Sequence, residues 1–314
     1  MDDGQSVPLH GLLQDHRVDR ERCGRDEVLK PFSYLEPDSL DEALDLLGRH
    51  GDDAKVIAGG TALVNFMKND LVEPRFVIGL RRLKHLQAMT EDNGLRIGAL
   101  TTLRTLETSP TVAGYAPLLA QACRLVATVR IRMMATLGGA IAYADPALDT
   151  PPALMACDAS FTVQSRREAR TVPAYQFFTG ILETVLAPDE LVTEIVVPRQ
   201  PTGCRTAYIK FLPATHDDYA TVSVAARVAV ADGKVVDARI ALGAVGATAV
   251  RAAAAEELLA GKEPNAANFR DAAQAATADL EPLKDIRGSP DYKRKMAAVH
   301  VVRALQAATT APHP

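Results

Sequence analysis

An α+β fold is what the periodicities of this chain predict. In its first two-thirds, apolar residues recur at helical spacing between short strand-like runs; Leu40, Ala43, Leu44 and Leu47 are the clearest helical set. In its last third, TVSVAARVAVADGKVVDARIALGAVG alternates as antiparallel strands do, about an Asp232-Gly233 hairpin turn. Helical stretches follow. Interleaved α and β segments, then an antiparallel sheet covered by helices, is the order of an α+β protein. There is no repeat at a fixed period.

Taken in order, residues 1–29 are polar, rich in Asp and Arg and aperiodic, and are expected to form a flexible N-terminal extension. Structure is expected to begin at KPFSYLEP. Ser39 followed by Glu42 is a capping-box pattern, and the helix it opens should stop near Gly51. AKVIAGG is expected as a short buried strand. A helix from about Ala62 would then carry Leu63, Phe66 and Met67 on one face. FVIGL is a second strand, and LQAMTEDNGLRIGALTTL a hairpin turning at Asn93-Gly94. Residues from there to about 134 are helical in pattern. Loop, short helix and strand follow, with PDELVTEIVVP a further strand. Residues 198–203 are a candidate boundary. Beyond the antiparallel stretch, RAAAAEELLAGK is expected as a capped helix and DYKRKMAAVHVVRALQAA as a long amphipathic one.

Bulk properties exclude several classes. The 314 residues carry 35 Lys and Arg against 39 Asp and Glu, a formal net charge of -4, which does not provide the basic face that nucleic-acid binding requires. No apolar run is long enough to span a bilayer, and the first residues lack the apolar core of a signal peptide, so a soluble cytoplasmic protein is expected. Cys23, Cys123, Cys157 and Cys204 have no metal-ligand or redox spacing and are expected as small core residues.

Two glycine loops carry the chemistry. AGGTA at 58–62 and ATLGGA at 135–140 both run from an apolar stretch into Gly-Gly beside a threonine. Glycine adopts positive φ freely and lets backbone amides approach an anion without an intervening Cβ. A helix following Thr61 would add its N-terminal amides. Neither loop is a Walker A or GxGxxG motif. A lone Gly-Gly is more often a plain turn; two with flanking threonines point to a diphosphate held from two sides.

Asp145 and Asp149 stand four residues apart beside the second loop. The plain reading makes Asp145 the start of an Asp-Pro turn and Asp149 a helix cap, with a cofactor hydrogen bond left open for a carboxylate. His216, beside Asp217 and Asp218, reads as polar loop, because no nucleophile motif accompanies it. Tyr219 is either core or a residue that stacks on a planar ring. Met133 and Met134 read as core filler.

KPFSYLEPDSLDEALDLL, VIAGGTALVNFMKND, LRIGALTTL, IRMMATLGGAIAYADPALDTPPAL, DELVTEIVVP and HDDYATVSVAA, in that order, resemble the FAD-binding medium subunit of molybdenum hydroxylases, the family of carbon monoxide and xanthine dehydrogenases. The resemblance runs from about residue 30 to 310. It implies a two-subdomain FAD-binding fold of the PCMH type over 30–198, divided into about 30–85 and 86–198. A C-terminal domain over 199–314 would follow, with a three-stranded antiparallel sheet and helices.

By the same resemblance, Lys55, Val56, Ile57, Ala58, Gly59, Gly60, Thr61, Ala62 and Leu63 form one grip on the FAD diphosphate. Ala135, Thr136, Gly138, Gly139 and Ala140 form the other. Asp149 matches an aspartate that hydrogen-bonds the cofactor, Val192 an apolar residue against it with Leu191 alongside, and Lys210 and Tyr219 lie near the flavin. The chain departs from the usual pattern at Ala62, where an acidic residue is common, at Ala140, where asparagine is common, and at Thr221, where some relatives have lysine. It lacks the cysteine-rich insertion that holds a [4Fe-4S] cluster in some relatives.

The implied function is electron transfer within a heterotrimer, likewise an implication of the resemblance. A large molybdopterin subunit hydroxylates the substrate, and a small subunit with two [2Fe-2S] clusters passes electrons to FAD in this chain. An external small molecule or carrier then receives them. The assembly expected is a dimer of heterotrimers. No residue of this chain is expected to act as acid, base, nucleophile or metal ligand. Two other readings stay open: a stand-alone FAD-dependent reductase of related fold, and a scaffold subunit that has lost FAD.

Overall fold

The computed structural model of the chain describes residues 29–213 and 218–310. The predicted N-terminal extension, residue 29 excepted, and the His216 loop, Asp218 excepted, therefore lie outside the described residues.

Strands β1 (Ser33–Leu35), β2 (Ala54–Ile57) and β3 (Phe76–Gly79) form a parallel sheet in the order β1-β3-β2. Parallel neighbours need crossovers, and helices α1 (Leu40–His50) and α2 (Leu63–Lys68) supply them. Ser39 caps α1 by accepting from the Glu42 amide, while the Glu42 carboxylate reaches back to the Asp38 amide, 2.8 Å away. Gly51, at φ 51°, ends the helix and donates to the Leu47 carbonyl. The α1 stripe Ala43, Leu44 and Leu47 packs on Ile78, Leu80, Leu83, Leu86 and Leu191. Strand β2 is less buried than expected. Only Ala54 is fully covered, because the end of β2 opens toward the cavity described below.

A second, antiparallel sheet has the order β4-β5-β10-β6-β7, from β4 (Met89–Glu91), β5 (Gly94–Gly98), β6 (Ser160–Gln164), β7 (Ala169–Pro173) and β10 (Leu191–Pro198). The hairpin between β4 and β5 turns at Asn93 and Gly94, both at positive φ. The region expected to be helical, to about 134, is four short helices, α3 (Leu103–Thr108), α4 (Pro110–Tyr115), α5 (Pro117–Arg124) and α6 (Val129–Met134), and two more, α7 (Leu137–Tyr143) and α8 (Thr150–Ala156), follow before β6. Proline at the first position of α4 and α5 starts a new helix where one long helix would otherwise run on. Helix α9 (Ala174–Phe177) and the small pair β8 (Phe178–Gly180) and β9 (Glu183–Thr184) lead into β10. A bulge between Val192 and Glu194 interrupts the pairing of β10 with β6.

The third sheet is β11 (Arg205–Phe211), β12 (Val222–Ala231), β13 (Lys234–Gly243) and β14 (Val250–Arg251), antiparallel in that order. Its three long strands are the expected ones, and β14 adds a two-residue fourth. Asp232 and Gly233, at φ 49° and 74°, make the turn as anticipated. The alternation in β12 does not separate buried from exposed, since Val222 through Ala229 are all buried. It separates two cores. Val222, Val224, Ala226 and Val228 face helices α10 (Ala253–Leu259), α11 (Ala266–Thr277) and α12 (Pro290–Thr310), whereas Ala225 joins the core of the second sheet. Helix α10 lacks the expected side-chain cap, its first turn following Ala252. Helix α12 buries Ala297, Val301, Ala304, Leu305 and Ala308 at helical spacing, as its sequence predicts.

Cys123 and Cys157 are core residues, as anticipated, and burial pushes the Cys157 thiol up to about 12. A thiol so placed is unreactive.

Candidate functional site

At the carboxyl end of the parallel sheet, where ligands of such sheets bind, β2 runs into Ala58-Gly59-Gly60-Thr61. Opposite lies the segment from Ala135 to Tyr143. Between them is a cavity of about 550 Å³, within the usual range for cofactor sites.

Gly59 joins the two segments. A Cβ on it would collide with the Met134 carbonyl oxygen and lie 3.2 Å from the Ala135 Cα. Only glycine lets these backbones touch. Gly60 has φ +73°, a conformation other residues adopt at a cost. Together they leave the amides of Gly59, Gly60 and Thr61 outside helix and strand, and these donate to no described carbonyl or side chain. The Thr61 hydroxyl has no protein partner among the described residues either.

The second loop differs. Its Leu137 and Gly138 amides donate to Thr101 and Ala99 carbonyls at 2.9 and 2.8 Å, and the Gly139 amide to Thr136 Oγ1 at 3.2 Å. Gly138 is required by packing, since a Cβ would stand 2.8 Å from the Ala99 oxygen. So the first loop presents free donors, and the second spends its amides on holding itself in place.

Of the residues singled out from the sequence, Lys55, Ile57, Ala58, Gly59, Gly60, Thr61, Ala62, Leu63, Ala135, Thr136, Gly139, Ala140, Asp149, Lys210 and Tyr219 all line this cavity. Four do not. Val56 points to the α1 side of its sheet, as strand alternation requires. Gly138 is buried against Ala99. Leu191 and Val192 pack into two different cores on either side of β10, next to its bulge. Helix α2 begins one residue later than expected, at Leu63, and is six residues long.

Asp149 is not a helix cap. It precedes α8 without accepting any amide, is 3% exposed, and takes hydrogen bonds from the Tyr208 hydroxyl and from Lys210 Nζ, both at 2.8 Å. Lys210 also donates to the Leu125 carbonyl at 3.0 Å. Burial raises the Asp149 carboxyl, against the opposing pull of the Lys210 ammonium and the Tyr208 hydroxyl. Burial likewise pushes the Tyr208 hydroxyl well above its ordinary value. Asp145 behaves as expected, its Oδ1 accepting from the Ala147 amide at 2.8 Å.

Several residues that form or brace the wall carried no signal in the sequence. Arg132, although buried, donates to the carbonyls of Val126 and Ala127 at 2.6 and 2.8 Å and to Glu107 at 2.8 Å. It thereby fixes a turn in which Ala127 has φ 36° and whose residues line the cavity. Phe66 and Tyr143 meet edge to face at 5.5 Å on the opposite wall. Burial raises the Tyr143 hydroxyl. Met133 and Met134 are not core filler, being 60% and 57% exposed on the outer side of α6. It is the Met134 backbone, not its side chain, that packs against Gly59.

Among the described residues no group of His, Cys, Asp and Glu could hold a metal ion, and no helix is long and apolar enough to cross a membrane.

Comparison with known proteins agrees with this geometry. Residues 30–200 match the family described as the FAD binding domain in molybdopterin dehydrogenase, and residues 207–308 match the CO dehydrogenase flavoprotein C-terminal domain. The carbon monoxide dehydrogenase medium chain of Hydrogenophaga pseudoflava is 39% identical, over 88% of this chain and 96% of that one. The nicotine 6-hydroxylase medium subunit of Paenarthrobacter nicotinovorans is 34% identical, over 88% and 97%. A solved structure of the Hydrogenophaga enzyme superposes with a TM-score of 0.88 at 40% identity, covering 90% of this chain and 98% of that chain. Quinoline 2-oxidoreductase from Pseudomonas putida 86 gives 0.85 at 33% identity, covering 90% and 98%. The chain belongs to the family of FAD-binding medium subunits of molybdenum hydroxylases, and is an oxidoreductase subunit.

Proposed function

We propose that this chain is the electron-transfer flavoprotein of a heterotrimeric molybdenum hydroxylase in the cytoplasm, assembled as a dimer of heterotrimers. Its partners would be a large molybdopterin subunit and a small subunit with two [2Fe-2S] clusters. The observation that carries this reading is the cavity between the two glycine loops, where three free amides meet Lys55 and Lys210. A cradle that a Cβ would fill, with donors lacking protein partners and two cations in its wall, fits an extended dinucleotide bearing a diphosphate.

In this assignment Gly59, Gly60 and Thr61 donate to the diphosphate and Lys55 offsets its charge. Thr136, already accepting from the Gly139 amide, keeps a hydroxyl hydrogen to give. Asp149 presents a carboxylate oriented by Tyr208 and Lys210 toward a cofactor hydroxyl or ring nitrogen. Ala135, Ala140, Leu63 and Ile57 supply apolar wall, and Tyr219 an aromatic face. Bound FAD would supply the redox chemistry, accepting electrons from the iron–sulfur subunit and releasing them to an external small molecule or carrier. The protein's part is to bind, orient and keep water out. The separate matches at 30–200 and 207–308 support a division into a FAD-binding domain and a C-terminal domain near residue 199.

Purification of the full chain, alone and with the products of neighbouring genes, tests this. The expected result is a yellow protein that releases FAD on denaturation and co-purifies with molybdenum- and iron–sulfur-containing chains. A colourless chain that cannot be reconstituted with FAD would overturn the reading.

A further inference from the structure

Tyr219 lines the cavity. Thr221, two residues on, is anchored to β11 through its amide and the Phe211 carbonyl at 3.0 Å. What holds Tyr219 itself comes from far along the chain. Arg287 Nε donates to the Tyr219 carbonyl at 3.2 Å, and Arg287 Nη2 to Asp218 Oδ1 at 2.7 Å. The same Asp218 oxygen accepts from the Tyr219 amide at 2.6 Å. The guanidinium carbon also stands 5.5 Å from the centroid of the Tyr219 ring, a cation–π distance. Arg287 thus contacts both the backbone and the ring of Tyr219, whose hydroxyl also interacts with that of Tyr143 in the cavity wall.

Arg287 is in turn built into a rigid clip. Residues 285–288 close on themselves through reciprocal backbone bonds between Asp285 and Gly288, both at 3.3 Å. Asp285 accepts from the Arg287 amide at 2.9 Å and from Lys293 Nζ at 2.8 Å. The Lys293 side chain is 3% exposed on α12, so the clip is tied to the C-terminal helix layer. Gly288, at φ +155°, approaches Tyr292 so closely that a Cβ would stand 2.7 Å from its ring. From this clip the Arg287 side chain reaches residues 218–219.

We propose that Arg287 is a positioning residue for the FAD site: through the 285–288 clip it holds the Tyr219 ring in the cavity wall and thereby couples the C-terminal helices to the cofactor. Planar fork geometry makes arginine suited to hold a carbonyl, a carboxylate and a ring at once, which lysine does only in part. The proposal rests on FAD occupying this cavity.

The test uses the full chain and its Arg287→Ala, Arg287→Lys and Tyr219→Phe variants. Tyrosine beside a flavin quenches its fluorescence by donating an electron to the excited ring, and phenylalanine does not. Measured at equal FAD occupancy in a Tyr143→Phe background, which removes the other tyrosine of the cavity wall, Tyr219→Phe should raise the bound-flavin fluorescence severalfold. Arg287→Ala should raise it comparably, and Arg287→Lys should restore part of the quenching. In the FAD-free chain, cleavage by chymotrypsin after Tyr219, located by mass spectrometry, should be faster in Arg287→Ala than in the parent. Unchanged fluorescence in Arg287→Ala, or unchanged fluorescence in Tyr219→Phe, overturns the proposal in a chain that binds FAD. Equal cleavage rates at Tyr219 overturn it whether or not FAD binds. A parent chain that takes up no FAD instead sinks the cofactor assignment, and the proposal with it.

Discussion

The Cα of Gly59 rests on the carbonyl of Met134, and this contact closes one side of the cavity. The obstacle to a side chain here is backbone, which cannot rotate away. Gly59→Ala should therefore push the two loops apart and cost about 1–3 kcal/mol, the usual range for overpacking. Gly60→Ala meets only side chains, Ile57 Cδ1 at 3.2 Å and Val64 Cγ2 at 3.5 Å, and its cost of about 1 kcal/mol is that of the left-handed backbone. Flavin content per chain and thermal midpoints, measured on both variants, should show Gly59→Ala as the more damaging on both counts. Equal losses would mean that loop contact does not shape the site.

The strand that hands over to Gly-Gly and then to a helix was legible in the sequence, as was the second loop, because turns and periodicity are local. So was the antiparallel sheet about Asp232-Gly233. The reason for Gly59 was not legible, since its partner is a carbonyl far along the chain, and carbonyls leave no mark in sequence. Met133 and Met134 were misplaced for the converse reason: hydrophobicity favours burial, but α6 has only one inward side and Arg132 takes it. Asp149 read as a cap because its position before α8 suits one. Its real partners, Tyr208 and Lys210, lie on β11, two residues apart on one face. The full burial of β12 was equally hidden, since alternating Val and Ala cannot reveal that both faces are covered.

Asp149 and Lys210 form a buried pair, with side chains 5% and 3% exposed. Asp149→Asn keeps an acceptor for Tyr208 but strands the Lys210 ammonium. The expected cost is about 3 kcal/mol. Adding Lys210→Met should recover much of it, because the uncompensated charge disappears. Urea unfolding of the single and double variants measures this coupling. Additive losses would show that the two side chains act independently.

Glu107 gives the site an acid limit. Burial raises its carboxyl, but the hydrogen bonds and charges of Arg104 and Arg132 outweigh this, and the net shift is downward. A carboxyl lower in the folded than in the unfolded chain contributes stability that is present above its unfolded value of about 4.3. That contribution is lost as pH falls through the folded value. Protonation then deprives buried Arg132 of its anion and loosens the turn at Val126 and Ala127. Parent protein should lose FAD progressively as pH falls below the ordinary carboxylate range. Glu107→Gln should be less stable at neutral pH, by about 2 kcal/mol, and should show a flatter acid limb. FAD retention and thermal midpoint, followed between neutral pH and the acid transition, decide it; parallel curves for the two proteins would remove Glu107 from this role.

Ala140 offers a gain rather than a loss. It lines the cavity on α7, half exposed. The second loop spends its own amides on Thr101, Ala99 and Thr136, so it contributes fewer free donors than the first. An amide side chain at 140 would supply a donor from that side. One added hydrogen bond contributes about 1 kcal/mol, or roughly fivefold in affinity. Titration of the FAD-free chain should therefore give Ala140→Asn a dissociation constant about fivefold lower than the parent, with an unchanged thermal midpoint in the absence of FAD. Weaker binding by this variant would show that the wall at Ala140 must stay apolar, and that the diphosphate is held from the Gly59–Thr61 side alone.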